Sequence, residues 1–256
     1  MSSWATGVTD IADGEILVRG YPLQDLIGSL SFGEVLFLLL GGELPTPAAA
    51  KVMNAVLVAS LDHGTTSPSA ITARTVVSGG AAPQVGAAAG LLALSKYHGA
   101  AVEGAAHTLV AVMGRHAQGL PLQEAARAVV GEQLAVGERV PGYGHRVHDS
   151  DPRVERLFAI ARAEGVDQRY VAAAQEVAAA LEAAKGRRFP MNLDTAIAAV
   201  LLPYLNPGQI LGVFMASRFC GIYTQALEEH TRMKPMRRIE PSQWVYDGPV
   251  RRPVSR

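Results

Sequence analysis

A single cysteine, Cys220, stands among 256 residues. One thiol cannot form an internal disulfide, so stability must come from packing, and a reducing, cytoplasmic compartment is expected. Charge is sparse too. Asp, Glu, Lys and Arg make up 18% of the chain, with 23 basic residues against 23 acidic ones and a formal net charge of +0. Without an excess positive field, neither nucleic acid nor an anionic membrane is an expected partner. The longest apolar run, TAIAAVLLPYL, is too short to span a bilayer and contains Pro203. The opening SSWATGVTD lacks the basic and apolar segments of a secretion signal. No Walker loop is present, no GxGxxG follows a strand, and no HExxH pair or cysteine partner marks a metal site, so no metal is expected.

What the chain does have is alanine, glycine and helical periodicity, with 49% hydrophobic residues. The one strand signal is TDIADGEILVRG, where Asp13-Gly14 separates two β-prone runs and predicts a small hairpin. SFGEVLFLLLGG opens with a capping box, Ser31 and Glu34, and closes at Gly41-Gly42. TPAAAKVMNAVLVASLDHG has Thr46 as N-cap, Pro47 at the first helical position and Gly64 as a stop. APQVGAAAGLLALSKYHG presents a Gly/Ala face suited to close approach, either inside a bundle or between subunits. Further helices are expected over Leu122 to about Val136, Pro152 to Ala163, Tyr170 to Lys185, and about Pro207 to Glu229. The fold class is therefore mostly α with a small N-terminal β element.

Chemistry-bearing residues gather at the breaks. His63 lies in DHG, His98 in KYHG and His145 in GYGHR, each beside glycine. A lone histidine near a helix C-terminus can simply complement the dipole, but three in Gly-flanked breaks point to a site. In RRFPMNLDTAIAAVLL, Asp194 stands at the mouth of an apolar helix. Desolvation there would make it a better base, whereas its structural alternative is the helix N-cap. Arg153, Arg218, Arg237 and Arg238 are suited, if they converge, to two-point binding of carboxylates. Lys185, Arg187 and Arg188 form a small basic cluster suited to phosphates or to capping carbonyls.

Taken in order, DIADGEILVRGYPLQDL, SFGEVLFLLLGGELPT, DHGTTSPSAITARTVVSGGA, LSKYHGAAVEGA, GYGHRVHDSDPR and FPMNLD resemble the successive motifs of the citrate synthase superfamily. The resemblance runs over essentially the whole chain. It departs where Ala100 replaces a second glycine, where Val102-Glu103 replaces an Asn-Glu pair, and at Asp149, where relatives often carry a basic residue. The short length, VRGY and the C-terminal MRRIEPSQWVYDGP look most like stand-alone citryl-CoA lyases, which are similar to the C-terminal module of ATP-citrate lyase.

The resemblance implies a two-domain helical fold, with 1–98 plus 211–256 as the large dimerisation domain, 99–210 as the small one, and the site in the cleft between them. It implies that Asp194 is the acid/base at the acetyl carbon, that His98 stabilises the enolate, and that His145 handles the tertiary hydroxyl. His63, Arg153, Arg218 and one of Arg237 and Arg238 would hold carboxylates, the last reaching across a homodimer, and a higher oligomer remains open. Lys185, Arg187 and Arg188 are the candidates for CoA. The implied substrate is citryl-CoA, or acetyl-CoA plus oxaloacetate in the synthase direction, including a compact citrate synthase or 2-methylcitrate synthase. The CoA thioester is a substrate, with no permanently bound cofactor. A non-catalytic binding module would have no use for the base.

Overall fold

The computed structural model describes residues 4–12, 14–144, 151–238 and 240–253. Strands β1 (Thr9–Ala12) and β2 (Glu15–Val18) pair antiparallel, Ala12 opposite Glu15, as the hairpin signal predicts. A third strand, β3 (Tyr21–Pro22), pairs with β2 and makes the element a three-stranded sheet. The connection sets Arg19 at φ 51, in the left-handed region that residues with a Cβ seldom occupy. Its guanidinium offsets the cost: Nε and Nη2 donate to the Leu39 carbonyl at 3.2 and 2.7 Å, one of the carbonyls that a helix end leaves unbonded.

Eleven α-helices follow among the described residues: α1 (Leu23–Leu26), α2 (Phe32–Gly41), α3 (Pro47–Ser60), α4 (Pro68–Ser78), α5 (Pro83–Leu92), α6 (Ala101–Ala117), α7 (Leu122–Ala135), α8 (Pro152–Ala163), α9 (Arg169–Lys185), α10 (Leu193–Leu201) and α11 (Pro207–Arg232). The caps are those the sequence shows. Ser31 and Glu34 form the capping box of α2, and the Thr46 hydroxyl accepts from the Ala49 N–H at 3.2 Å. Helix α4 opens on Ser67 as N-cap with Pro68 at its first position, whereas α6 begins without a side-chain cap. The ends of α3 and α5 fall earlier than the glycines suggest, at Ser60 and Leu92, so His63 and His98 lie in irregular connections and not on helix ends.

The main core joins α3, α6, α10 and α11 through Val52, Met53, Leu109, Ile197, Leu201 and Ile210. Apart from Asp194, every residue of α10 is buried, which is why its sequence is apolar on all sides but for Thr195. Each fully buried Leu or Ile contributes about 1.5–3 kcal/mol. A smaller cluster of Ala73, Val77, Ala87, Ile222 and Ala226 holds α4, α5 and α11 together. The Gly/Ala face of α5 thus packs within the same chain: a Cβ on Gly90 would lie 2.8 Å from the Ser69 carbonyl. Helix α11 is long and apolar enough to cross a bilayer by length and composition, yet it packs against α2 through α6 and buries Arg218 and Glu229.

Gly221 sets how closely the connection after α3 lies on α11. A Cβ there would sit 2.1 Å from the Leu61 carbonyl oxygen and 3.0 Å from the Asp62 Cα, which are backbone atoms with little room to yield. Gly221→Ala is expected to lower stability by about 1–3 kcal/mol through overpacking, read as a fall in melting temperature. An unchanged melting temperature would contradict this close approach.

Candidate active site

Asp194 sits in the first turn of α10, and the turn itself explains its chemistry. The N-cap is Asn192, whose Oδ1 accepts from the Asp194 N–H at 3.0 Å. Of the two roles the sequence leaves open for Asp194, the cap therefore falls to its neighbour, and the carboxyl is left for other work. A helix N-terminus favours a carboxylate, but burial outweighs it here. Desolvation pushes the Asp194 carboxyl up from 3.8 to about 6, while the charges of Arg218 and Arg153 pull it down and that of Asp151 pushes it up.

Arg218 projects from α11 and is only 5% exposed, with its guanidinium over the Phe214 ring at 5.0 Å. Its Nε and Nη1 are buried and have no hydrogen-bond acceptor among the described residues. Burial pushes this guanidinium down, and the charges of Asp62 and Asp194 hold it up. Arg153 lies in the first turn of α8, two residues after Asp151, which caps that helix and is 2% exposed. The Arg153 Nε and Nη2 donate to the two Asp151 oxygens at 2.9 and 2.7 Å, so the side chain is already held in a two-point clasp. His63 is exposed in the connection between α3 and α4. Beside it, Asp62 accepts from the Gly64 N–H at 3.1 Å and from Gln225 Nε2 at 3.2 Å.

His98 lies in a tight turn in which Ser95 and His98 exchange backbone hydrogen bonds at 2.7 and 2.8 Å. Its Nε2 accepts from the Ser69 N–H at 3.3 Å and lies 2.8 Å from the Ser69 hydroxyl. An Nε2 that accepts an N–H carries no proton, so a neutral ring is protonated on Nδ1. The next residue, Gly99, reaches the Phe214 ring (a Cβ there would be 3.2 Å from it), the same ring that lies under Arg218. The His98 turn and Arg218 thus meet at one ring of α11, and Arg218 in turn acts on Asp194 through its charge. Between Ala100 and Ala101 on one side and Pro141 on the other lies a cavity of about 610 Å³, lined also by Glu103, His107 and Gln133.

The segment leading toward His145 is pinned to the one leading into α10. Tyr143 and Met191 form a β-bridge, the Gly144 N–H donates to the Pro190 carbonyl at 2.7 Å, and the Asn192 N–H donates to the Gly142 carbonyl at 3.0 Å. His145 itself lies outside the described residues, as do His148 and Asp149.

Other expected residues fall further out. Lys185, Arg187 and Arg188 are exposed at the end of α9, with Arg187 stacked on the Phe189 ring at 4.5 Å. Phe189 in turn lies against Gly144, where a Cβ would be 3.8 Å from its ring. Arg237 is engaged within its own chain: its side chain donates to both oxygens of buried Glu229, and its backbone N–H donates to the Ser78 hydroxyl at 2.6 Å. Arg238 is exposed. Four residues with a part in this geometry, Ser69, Asp62, Asp151 and Asn192, have no distinguishing signal of their own. Only their adjacency to His63, Arg153 and Asp194, or the SPS start of α4, hints at them.

Residues 45–241 match the family described as citrate synthase, C-terminal domain. A Mycobacterium tuberculosis relative whose name places it among citrate synthases is 31% identical over 218 residues, which cover 80% of this chain and 53% of that protein. The chain thus spans about half the length of this curated relative. Among solved structures, citryl-CoA lyase from Hydrogenobacter thermophilus is similar with a TM-score of 0.88 at 37% identity, over 98% of this chain and 97% of that one. An ATP citrate lyase from Methanosaeta concilii, solved in complex with (3S)-citryl-CoA, shares the fold with a TM-score of 0.84 at 22% identity, over 97% of this chain and 42% of that one. With its motifs in order, its helices in the matching arrangement and most of its length within the family match, this chain belongs to the citrate synthase family of enzymes, whose members include lyases as well as synthases.

Proposed function

We propose that this chain is a citryl-CoA lyase, cleaving citryl-CoA to acetyl-CoA and oxaloacetate by a retro-aldol-type reaction. The observation that carries this reading is Arg218, a 5% exposed guanidinium whose Nε and Nη1 have no acceptor among the described residues, beside a carboxylic acid raised to about 6. A buried donor without a partner costs about 1–3 kcal/mol, more when charged, and such a group is retained where a ligand supplies the acceptor. The carboxylates of the citryl half are ligands of that kind. The likeness over nearly the full length of both chains to the Hydrogenobacter thermophilus citryl-CoA lyase supports the same assignment.

On this reading the family resemblance gives each residue its part in the chemistry. His145 takes the proton of the tertiary hydroxyl, and the ketone of oxaloacetate forms as the adjacent C–C bond breaks. The electron pair of that bond moves onto the thioester as an enolate. His98, neutral with its proton on Nδ1, donates to the enolate oxygen without having to surrender a full positive charge. Asp194, raised so that about a tenth is still protonated at pH 7, delivers its proton to the enolate carbon and completes the acetyl methyl group. His63, Arg153 and Arg218 hold the oxaloacetate half.

We assign the CoA phosphates to Lys185, Arg187 and Arg188, and the cavity of about 610 Å³ beside Ala100, two residues along the chain from His98, is the candidate place for the carrier. The chain divides into a large domain, 1–98 with 211–256, and a small one, 99–210, with the substrate between them. A homodimer completes the site with Arg238 or Arg237 of a second copy. The exposed row Met215, Phe219, Tyr223 and Leu227 along α11 supports such pairing, since each is 36–43% exposed and they recur every four residues.

Citryl-CoA supplied to purified protein is expected to yield acetyl-CoA and oxaloacetate with no free CoA. Citrate with free CoA would mean thioester hydrolysis and a compact citrate synthase, the reading that the mycobacterial relative's name favours.

Asp194→Asn makes a two-part prediction. Turnover should fall by roughly 10²–10⁴-fold, the usual worth of a positioned acid or base, while CoA still binds. Stability should move the other way. The carboxyl titrates at 3.8 when unfolded and about 6 when folded, so folding favours its protonated form. The penalty from the ionised form is absent below the lower value, grows as pH rises between the two, and is constant above the higher one. The variant is therefore expected to melt above the wild type at neutral pH, with the gain fading as the solution is acidified. Retained turnover would remove Asp194 from the mechanism, and an equal or lower melting temperature at neutral pH would contradict its raised titration.

A further inference from the structure

We propose that Thr195 is a positioning residue for Asp194, acting through the carbonyl of Gly142; this rests on the reading of Asp194 as the acid of the cleavage. Thr195 is wholly buried in α10, between Asp194 and the apolar Ala196 and Ile197. Valine has the same shape, so packing alone gives no reason for a hydroxyl there, and a buried hydroxyl without a partner would be a net cost. Its acceptor is the backbone: Thr195 Oγ1 donates to the Gly142 carbonyl at 2.7 Å, and the buried Tyr143 hydroxyl, which donates to the Ala174 carbonyl, also meets the Thr195 side chain. The Gly142 carbonyl also accepts the Asn192 N–H at 3.0 Å, so one oxygen is held from two residues before Asp194 and from one residue after it.

The contact also needs Gly142. Its φ is +84, and a Cβ there would lie 2.1 Å from Thr195 Oγ1. Asn192 closes the arrangement on the far side, its Nδ2 donating to the Gly144 carbonyl at 3.2 Å while its Oδ1 caps the Asp194 N–H. Asp194 therefore has its backbone fixed on both sides by one short segment, the segment from which the chain runs on into His145. The charged groups that face its carboxyl come from other elements: Arg218 on α11, and Arg153 with Asp151 at the start of α8. The Thr195 hydroxyl sets where Asp194 stands among them. It touches no substrate in this account.

Thr195→Ser and Thr195→Ala test the claim, because both lose the methyl group and only the second loses the hydroxyl. With citryl-CoA as substrate, Thr195→Ser is expected to keep kcat within about threefold of wild type, and Thr195→Ala to lower it roughly 10- to 100-fold, the scale of a small misplacement of a catalytic group. KM should change little, and the limb of the kcat/KM–pH profile that reports Asp194 should move in the Ala variant and stay in the Ser variant. A merely structural role would lower the melting temperature of both and leave that limb in place. Equal kcat and equal pH limbs for the two variants would overturn the proposal, as would a loss confined to KM. If Thr195→Ala does not fold, Thr195→Val, which fills the space without a hydroxyl, is compared with Thr195→Ser in the same way. Asp194→Asn in the same assay separates the failures. If it is active, the reading of Asp194 falls. If it is inactive while the Ala and Ser variants match, only the positioning role falls.

Discussion

A carboxylic acid and a guanidinium placed where water hydrates neither well is the constraint around which this chain is arranged. Asp194 and Arg218 approach from the starts and middles of two helices, α10 and α11, that also build the main core. The cost of leaving them so poorly hydrated must be met by apolar burial elsewhere, and a helix such as α10, buried along nearly all its length, is one place where it is met. The result is a carboxyl poised between its two protonation states near pH 6 and a cation with donors still to satisfy, a pairing suited to the proton transfer proposed above.

Helix α11 holds a second cation cluster that shows what a purely structural arrangement looks like in the same protein. Arg74, from α4, is as deeply buried as Arg218, but it donates to Glu229, Glu228 and Gln225 at 2.7–2.9 Å, and Glu229 is shared with Arg237. Every charge there has an opposite charge in contact, and the cluster fastens the C-terminal tail onto α4. Arg218 differs in having donors with no acceptor among the described residues. Two arginines of equal burial on one helix pair thus separate by their partners: one closes the fold, the other keeps two buried donors without an acceptor among the described residues. Arg153 stands between these extremes, clasped by Asp151 yet partly exposed.

Much of this was legible in the residues. The helix caps at Ser31 and Thr46, the hairpin at the start and the desolvated position of Asp194 all follow from local pattern, because each depends on neighbours in sequence. The third strand did not, since it is only two residues long, and the left-handed Arg19 that turns the chain back onto β2 is held by a carbonyl twenty residues away, at Leu39. Nor did the places of His63 and His98: glycine marks a break without saying how many residues before it the helix ends. Asn192 and Thr195 were hidden for a further reason. An Asn or Thr beside an apolar run looks the same whether its polar atom faces solvent, a helix end or, as here, a carbonyl some fifty residues earlier in the chain. The question of which residue caps α10 could not be answered from FPMNLD alone, because Asn192 and Asp194 are both good caps. Packing against 142–144 decided it.

The most direct test of the account is a carboxyl titration of Asp194 itself, by carbon NMR on protein labelled at the aspartate side-chain carboxyl, with Asp194→Asn identifying the signal. The burial that sets the site predicts a midpoint near 6. A midpoint at the ordinary 3.8 or below would mean that Arg218 and Arg153 outweigh desolvation, leaving an aspartate fully ionised at neutral pH with almost no proton to give the enolate.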